Sequence, residues 1–161
     1  MIDFVAMTEA DYQAYLEQAV ADYAAEHVRG GRWSAEEAEQ RSRQEYRDLL
    51  PEGAATPNNV LYVLADAATH ARVGMLWYAL QERAGKQVAF IYDIAIDPEF
   101  RRRGYASQAL RGLEQLVLAR GVHEIRLHVF GHNHEARALY EALGYQPTNI
   151  VMAKTLKEPE E

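Results

Sequence analysis

The sequence contains no cysteine among its 161 residues. A disulfide, a cysteine-ligated metal site and a thiol nucleophile are therefore excluded, and so is group transfer through a thioester on the enzyme. The sequence also lacks an apolar run approaching the ~18 residues that span a bilayer. Its first residues, MIDFVAMTEADYQ, do not form a basic segment followed by an apolar one. We therefore expect a cytoplasmic protein without a membrane partner.

An excess of positive charge is lacking as well, since the formal net charge at pH 7 is -7. Affinity for nucleic acids comes largely from neutralised phosphates, so this charge argues against a nucleic-acid partner. It permits a cationic substrate. The length is that of one domain and no linker divides it, so we predict a single domain over residues 1–161. The sequence leaves open whether the chain is a monomer or a homodimer.

The N-terminal third predicts one strand and two helices. Residues 2–7 read as a strand, and Thr8 as the N-cap of a first helix. Ser34 and Glu37 form the pattern of a capping box for a second helix, which runs to about Leu50.

The middle of the chain predicts three strands, over residues 60–65, 73–81 and 88–96. These segments are rich in the β-branched and aromatic residues that fit a pleated surface. The connections between them are short enough only for hairpins, so the three strands should form an antiparallel meander.

The last third alternates helix and strand. A helix follows Gly104, a strand covers 124–130, Asn133 caps another helix, and one or two final strands lie near Tyr145 and over 149–155. A strand–helix–strand order favours parallel pairing through a right-handed crossover. We predict an α/β fold with a mixed sheet of six to seven strands, flanked on both faces by about four helices.

The segment from Ile94 to Ser107 carries the clearest functional pattern. A strand ends at a proline, and a loop with three arginines and Gly104 leads into a helix. The unpaired amides of a helix N-terminus bind phosphate groups readily, and glycine lets the preceding backbone turn its amides inward. The alternative interpretation is that the three arginines are solvated surface charges before a helix.

Two motifs resemble those of the GCN5-related N-acetyltransferase (GNAT) superfamily. Arg101, Gly104 and Ala106 match its Q/R-x-x-G-x-G/A signature, and residues 133–145 resemble its second motif. Residues 27–34 resemble a bacterial subgroup of the superfamily. The resemblance covers residue 60 to the end and implies the GNAT fold and an enzyme that transfers the acetyl group of acetyl-CoA directly to an amine.

The resemblance also implies where acetyl-CoA is held. The strand backbone would bind its pantetheine arm, the loop amides its pyrophosphate, and a tyrosine would stand beside its sulfur. The residues are Ile94, Ala95, Ile96, Arg101, Arg102, Arg103, Gly104, Tyr105, Ala106, Ser107, Asn133 and Tyr140.

Two residues are candidates for the chemistry. Tyr140 stays protonated at neutral pH, because tyrosine has a pKa of about 10, and it could protonate the departing thiolate; its alternative role is a core aromatic. Asp93 is the first candidate for the general base, with a structural or substrate-attracting role as the alternative. Many relatives carry Glu-Asp where this chain has Tyr92 and Asp93. Glu82 and Glu26 are weaker candidates for the base.

Three histidines, His128, His132 and His134, invite a metal interpretation. Their spacing matches no standard zinc site, and the family needs no metal, so we predict none. We expect His134 to be exposed. The acceptor remains open among a peptide N-terminus, a lysine, a polyamine and a small amine. An acyl-CoA-binding regulatory protein without turnover and a pure interaction module are the alternative functions.

Overall fold

The structure, a computed structural model, describes residues 1–159. Its first compact unit is Met1–His128 and its second begins at Val129. The single domain therefore stays a prediction. In chain order the elements are β1 (Ile2–Ala6), α1 (Glu9–Arg29), α2 (Ala38–Leu49), β2 (Asn59–Asp66), β3 (Arg72–Arg83), β4 (Lys86–Ile96), α3 (Tyr105–Leu118), β5 (Ile125–Leu127) and α4 (His134–Ala142), with short 3₁₀ turns at Gly53–Ala55 and Pro98–Phe100.

The strands form one mixed sheet in the order β1-β2-β3-β4-β5. Strands β1 to β4 pair antiparallel, each with the next, and β5 pairs parallel to β4. This arrangement confirms the predicted meander and the parallel pairing that follows it.

The predicted strand count of six to seven is wrong, because the described residues form five strands. β5 covers only Ile125–Leu127, and residues 149–155 form none. The apolar side chains that suggested the last strand, Ile150, Val151 and Met152, are 75%, 97% and 88% exposed. Composition shows that a segment could enter a sheet, but a strand exists only where a neighbour takes up its backbone hydrogen bonds.

The helix α1 begins as predicted. The Thr8 side chain accepts from the Asp11 amide, and the Asp11 carboxylate accepts from the Thr8 amide. The predicted start of α2 at Ser34 is wrong, since the helix begins at Ala38 with Glu37 as its N-cap and no side-chain cap. Ser34 contributes its carbonyl oxygen instead, which accepts from the Ala38 amide. The backbone therefore enters α2 through a turn.

One core lies between the helix pair α1–α2 and the sheet. It includes four aromatic side chains that are almost fully buried: Tyr12, Tyr15, Tyr46 and Trp77. Three of them carry a hydroxyl, and a buried hydroxyl needs a hydrogen-bond partner. The hydrogen-bond partners of these buried hydroxyls therefore show which groups the core holds in place for a structural or chemical role.

The other face of the sheet packs against α3. The Phe4 ring contacts Tyr62 edge to face, with the ring centroids 5.4 Å apart. A Cβ at Gly112 of α3 would lie 2.6 Å from this Phe4 ring. Glycine at this position lets α3 approach the sheet, which fixes where the helix and the loop before it lie.

Candidate active site

A bulge interrupts β4 at Tyr92. Trp77 of β3 lies opposite Asp93, while the next residue, Tyr78, lies opposite Ile91, so Tyr92 has no counterpart. The Tyr92 ring stacks on Trp77 at 4.5 Å, and the Asp93 side chain reaches Tyr15 of α1. Both side chains thus point to the α1–α2 face, because a bulge breaks the alternation of a regular strand.

The same point of β4 marks the end of its pairing with β5. The parallel ladder joins only residues 89–91 of β4 to β5, whereas β3 stays paired with β4 as far as Ile96. A Cβ at Gly74 of β3 would collide with the Ala95 carbonyl oxygen, so that carbonyl points toward β3. Backbone groups alternate along a strand, so those of Ile94 and Ile96 point to the opposite edge.

The loop between β4 and α3 holds two residues in the left-handed region. Arg102 has a φ of 61° and Gly104 a φ of 80°. Such a conformation is unusual for a side-chain-bearing residue and makes neighbouring amides converge into an anion-binding concavity. Gly104 is the N-cap of α3, and no side chain caps the helix. The nearest atom to a Cβ at Gly104 would be the Gln108 Nε2, 4.0 Å away, so the space beside Gly104 is open.

Two side-chain contacts brace this loop. The Arg101 Nε donates to the Ile96 carbonyl oxygen at 3.0 Å, which ties the loop to the end of β4. The Tyr105 hydroxyl donates at 2.7 Å to Asp66, the last residue of β2. That hydrogen bond is the main cause that lowers the pKa of Asp66 to about 2, with amides of the turn adding to it. The first residue of α3 is therefore anchored to a carboxylate that stays ionised.

Asp93 is held inside the protein by the Tyr15 hydroxyl. Tyr15 donates to the Asp93 Oδ2 at 2.8 Å. The residue keeps part of its surface exposed, yet burial raises the pKa of its carboxyl, and the negative charge of Asp22 adds to this increase. The Tyr15 hydroxyl and the Ile94 amide act against it, because both stabilise the carboxylate. Asp93 is thus a stronger base than an ordinary aspartate.

Two phenols lie near this carboxylate on the side of the helices, and a third lies beside one of them. Tyr46 of α2 lies beside the Tyr15 hydroxyl, and burial is the main cause that raises the pKa of both phenols. Tyr23 of α1 donates to Glu45 at 2.7 Å. All three phenols therefore stay protonated near neutral pH, where they act as hydrogen-bond donors.

Comparison with known proteins identifies the family. A model of the Acetyltransferase (GNAT) family matches residues 14–145. The chain belongs to the GNAT family. It is 40% identical over 150 residues to an uncharacterized N-acetyltransferase, YycN of Bacillus subtilis (strain 168). This alignment covers 93% of this chain and 96% of YycN. A second relative, the uncharacterized N-acetyltransferase YdgE of the same organism, is 33% identical over 150 residues, with 93% and 95% covered.

The fold comparison agrees. The crystal structure of YycN matches with a TM-score of 0.91 at 39% identity and covers 98% of this chain and 100% of YycN. The chain therefore has the GNAT fold and is an acetyltransferase, as the two motifs predicted. Members of this family use acetyl-CoA as the acetyl donor.

The other acidic candidates lie away from Asp93 or are engaged elsewhere. Glu82 pairs with Gln87 near the β3–β4 hairpin, five residues along β3 from Trp77, which at about 3.3 Å per residue is roughly 16 Å. Glu26 forms an ion pair with Arg29 at 2.7 Å near the end of α1. Of these three acidic residues, Asp93 is the one that directly follows the bulge.

The second unit contains the remaining predicted residues. The Asn133 side chain accepts from the Ala136 amide at 3.2 Å and caps α4, as its position in the motif predicted. Tyr140 lies on the same helix, half-buried, and its ring centroid is 5.6 Å from that of Tyr145. The roles of Asn133 and Tyr140 toward acetyl-CoA stay predictions.

The histidines show no metal-like arrangement. Within residues 1–159, no three His, Asp or Glu side chains converge in a way that could hold a metal ion. His134 is exposed, as expected, and His128 lies near enough to His27 of α1 for its charge to lower the pKa of that side chain.

Among residues 1–159, no helix combines the length and apolarity needed to cross a membrane.

Sequence reasoning missed Tyr15. Tyr15 is buried on the same face of α1 as Tyr12 and Ala19. The available signal was the density of tyrosines on an inward face, since each buried hydroxyl needs a partner. A tyrosine facing a strand that carries an aspartate was therefore a candidate for pairing with it.

Proposed function

We propose that this enzyme transfers the acetyl group of acetyl-CoA directly to a primary amine, with Asp93 as the general base and Tyr140 as the general acid. The observation that carries the proposal is the bulge at Tyr92. At this point β4 parts from β5, backbone groups become available on one edge, and Asp93 turns toward the α1–α2 face.

The described residues fit acetyl-CoA as the co-substrate. Its pyrophosphate requires unpaired amides and open space, and this proposal is supported by the uncapped N-terminus of α3 and by the open space beside Gly104. Its pantetheine arm requires backbone donors and acceptors, which the edge of β4 beyond Ile91 offers where the ladder with β5 has ended; the Ile96 carbonyl oxygen on this edge already accepts from Arg101. The residues that would hold it are Ile94, Ala95, Ile96, Arg101, Arg102, Arg103, Gly104, Tyr105, Ala106, Ser107 and Asn133. When bound, acetyl-CoA supplies an acetyl group activated as a thioester.

The main obstacle for an amine acceptor is its protonation at neutral pH, and Asp93 is placed in this proposal to remove that proton. An amine with the pKa of lysine, about 10.4, is only ~0.1% neutral at pH 7.4, a deficit of about 4 kcal/mol. A carboxylate whose pKa is raised by burial accepts a proton more readily than one in water. Asp93 would take the proton from the ammonium, directly or through a water molecule, and free the nitrogen lone pair for attack.

Tyr140 would assist at the sulfur. A thiol such as that of CoA has a pKa near that of cysteine, about 8.5, so the thiolate can leave without full protonation. Its developing charge nevertheless needs a partner where water is scarce. The phenol of Tyr140 would donate a hydrogen bond or a proton to that sulfur.

The test is a thiol-release assay with acetyl-CoA and four amines: a peptide with a free N-terminus, an N-acetylated lysine peptide, spermidine and phenethylamine. Amine-dependent release of CoA together with the acetylated amine in mass spectra is the expected result. CoA binding in calorimetry with no turnover of any amine would instead favour a regulatory acyl-CoA-binding protein. No binding would leave only an interaction module.

A further inference from the structure

The contact between Tyr15 and Asp93 joins two distant parts of the chain at one point. Tyr15 is on α1 and only 7% exposed, and Asp93 follows the bulge of β4, 78 positions later in the sequence. Their hydrogen bond is 2.8 Å long. Hydrogen bonds to an ionised carboxylate are shorter and stronger than neutral ones, so this bond favours one orientation of the Asp93 side chain.

Core packing alone does not require this hydroxyl. Tyr12 lies three residues earlier on α1, belongs to the same core and is 4% exposed. The charged group that affects the pKa of Tyr12 is Glu9, whereas Asp93 is the one that affects Tyr15. Both tyrosines of this helix are buried in the same core, but of the two only Tyr15 donates a hydrogen bond to the proposed base.

The groups that face Asp93 shift the pKa of its carboxyl in opposite directions. From α1 come Tyr15 and the negative Asp22, from α2 comes Tyr46, and β4 itself contributes the Ile94 amide. Burial and Asp22 favour the neutral acid, while Tyr15 and the amide favour the carboxylate. Without the Tyr15 hydroxyl, the neutral acid would persist to higher pH, and a neutral acid cannot act as a base.

We propose that Tyr15 is a positioning residue for this acetyltransferase, which holds the Asp93 Oδ2 and thereby presents Oδ1 to the acceptor amine. The proposal rests on the role of Asp93 as the base. In the step concerned, the ammonium N–H bond breaks, the proton forms a bond to Oδ1, and the nitrogen keeps the electron pair for attack on the acetyl carbon. The Tyr15 proton stays on its phenol oxygen, and Asp93 later releases the acquired proton to water.

The experiment compares pH profiles of kcat/KM for the wild type, Tyr15→Phe, Tyr12→Phe and Asp93→Asn. The acceptor is whichever of the four amines above gives the fastest CoA release. Its own titration is common to all variants, so differences between profiles report on the protein. Tyr15→Phe should move the acidic limb upward by at least half a pH unit and lower the plateau severalfold. Tyr12→Phe, the matched loss of a core hydroxyl, should leave both unchanged.

The outcomes separate the two proposals. If Asp93→Asn abolishes the limb and Tyr15→Phe leaves it in place, Asp93 is the base and the role of Tyr15 is refuted. If Asp93→Asn keeps wild-type activity, the base assignment itself fails. Should Tyr15→Phe not fold, difluorotyrosine incorporated at position 15 provides the second variant. As a stronger donor with the same ring it should move the limb downward, and an unmoved limb would also refute the role of Tyr15.

Discussion

Replacement of Gly104 by valine tests the proposed phosphate site most directly. Gly104 has a φ of 80°, in the left-handed region, which costs a side-chain-bearing residue about 1–2 kcal/mol. For a chain of this size that corresponds to a decrease in Tm of about 2–8 °C. The added side chain would also fill the open space beside Gly104, where the closest atom to its Cβ is 4.0 Å away. We expect the Kd for acetyl-CoA in calorimetry to rise at least tenfold, about 1.4 kcal/mol.

The matched control is Gly121→Val, just beyond the other end of α3. Gly121 has a φ of 75°, and no atom lies within 4 Å of its prospective Cβ. The two variants should therefore lose similar stability, measured as Tm, while only the change at Gly104 weakens binding. Equal Kd values for the wild type and both variants would exclude the loop from the cofactor site. An equal increase in both would mean that backbone strain, rather than a blocked site, controls affinity.

Three further substitutions have distinct signatures. Tyr140→Phe should lower kcat about 10²-fold with the Kd for acetyl-CoA unchanged, because general acid assistance is lost; a drop in Tm at normal kcat would make it a core residue. Burial raises the pKa of Asp93, so its ionisation destabilises the fold as pH rises from the unfolded value of about 3.9 through the folded one. Asp93→Asn should therefore have a Tm equal to or above that of the wild type at pH 7, lose this difference near pH 4, and show a reduced kcat. A Tm that falls further below the wild-type value at pH 7 than at pH 4 would contradict this sign. Gly112→Ala should cost about 1–3 kcal/mol in unfolding by denaturant, since its Cβ would lie 2.6 Å from Phe4, whereas Gly131→Ala, with open space around it, should cost far less.

The sequence was sufficient wherever a local pattern decides the structure. The β-branched and aromatic segments predicted β2, β3 and β4, since their hairpin connections permit only antiparallel neighbours. Thr8 and Asn133 marked helix starts because their side chains satisfy amides within three residues. Gly104 indicated a turn that needs glycine before α3, and its φ of 80° lies in the left-handed region. In each case the partner groups lie close together in the chain.

The sequence was insufficient wherever the outcome depends on a distant partner. Residues 149–155 have the composition of a strand but no strand pairing, and Ser34 has the chemistry of an N-cap although its side chain caps no helix. The contact between Tyr15 and Asp93 spans 78 positions. No periodicity within either segment contains that information.

The bulge at Tyr92 explains the position of the proposed base. In a regular strand Tyr92 and Asp93 would face opposite sides of the sheet, and one of the two would be placed against α3. The extra residue turns both toward α1 and α2, so the Tyr92 ring packs on Trp77 and the carboxylate reaches the Tyr15 hydroxyl. It also falls next to the last pair of the β4–β5 ladder, Ile91 and Leu127. One irregularity thus accompanies both the open backbone edge and the buried carboxylate, the two features that direct acetyl transfer would require at the same place.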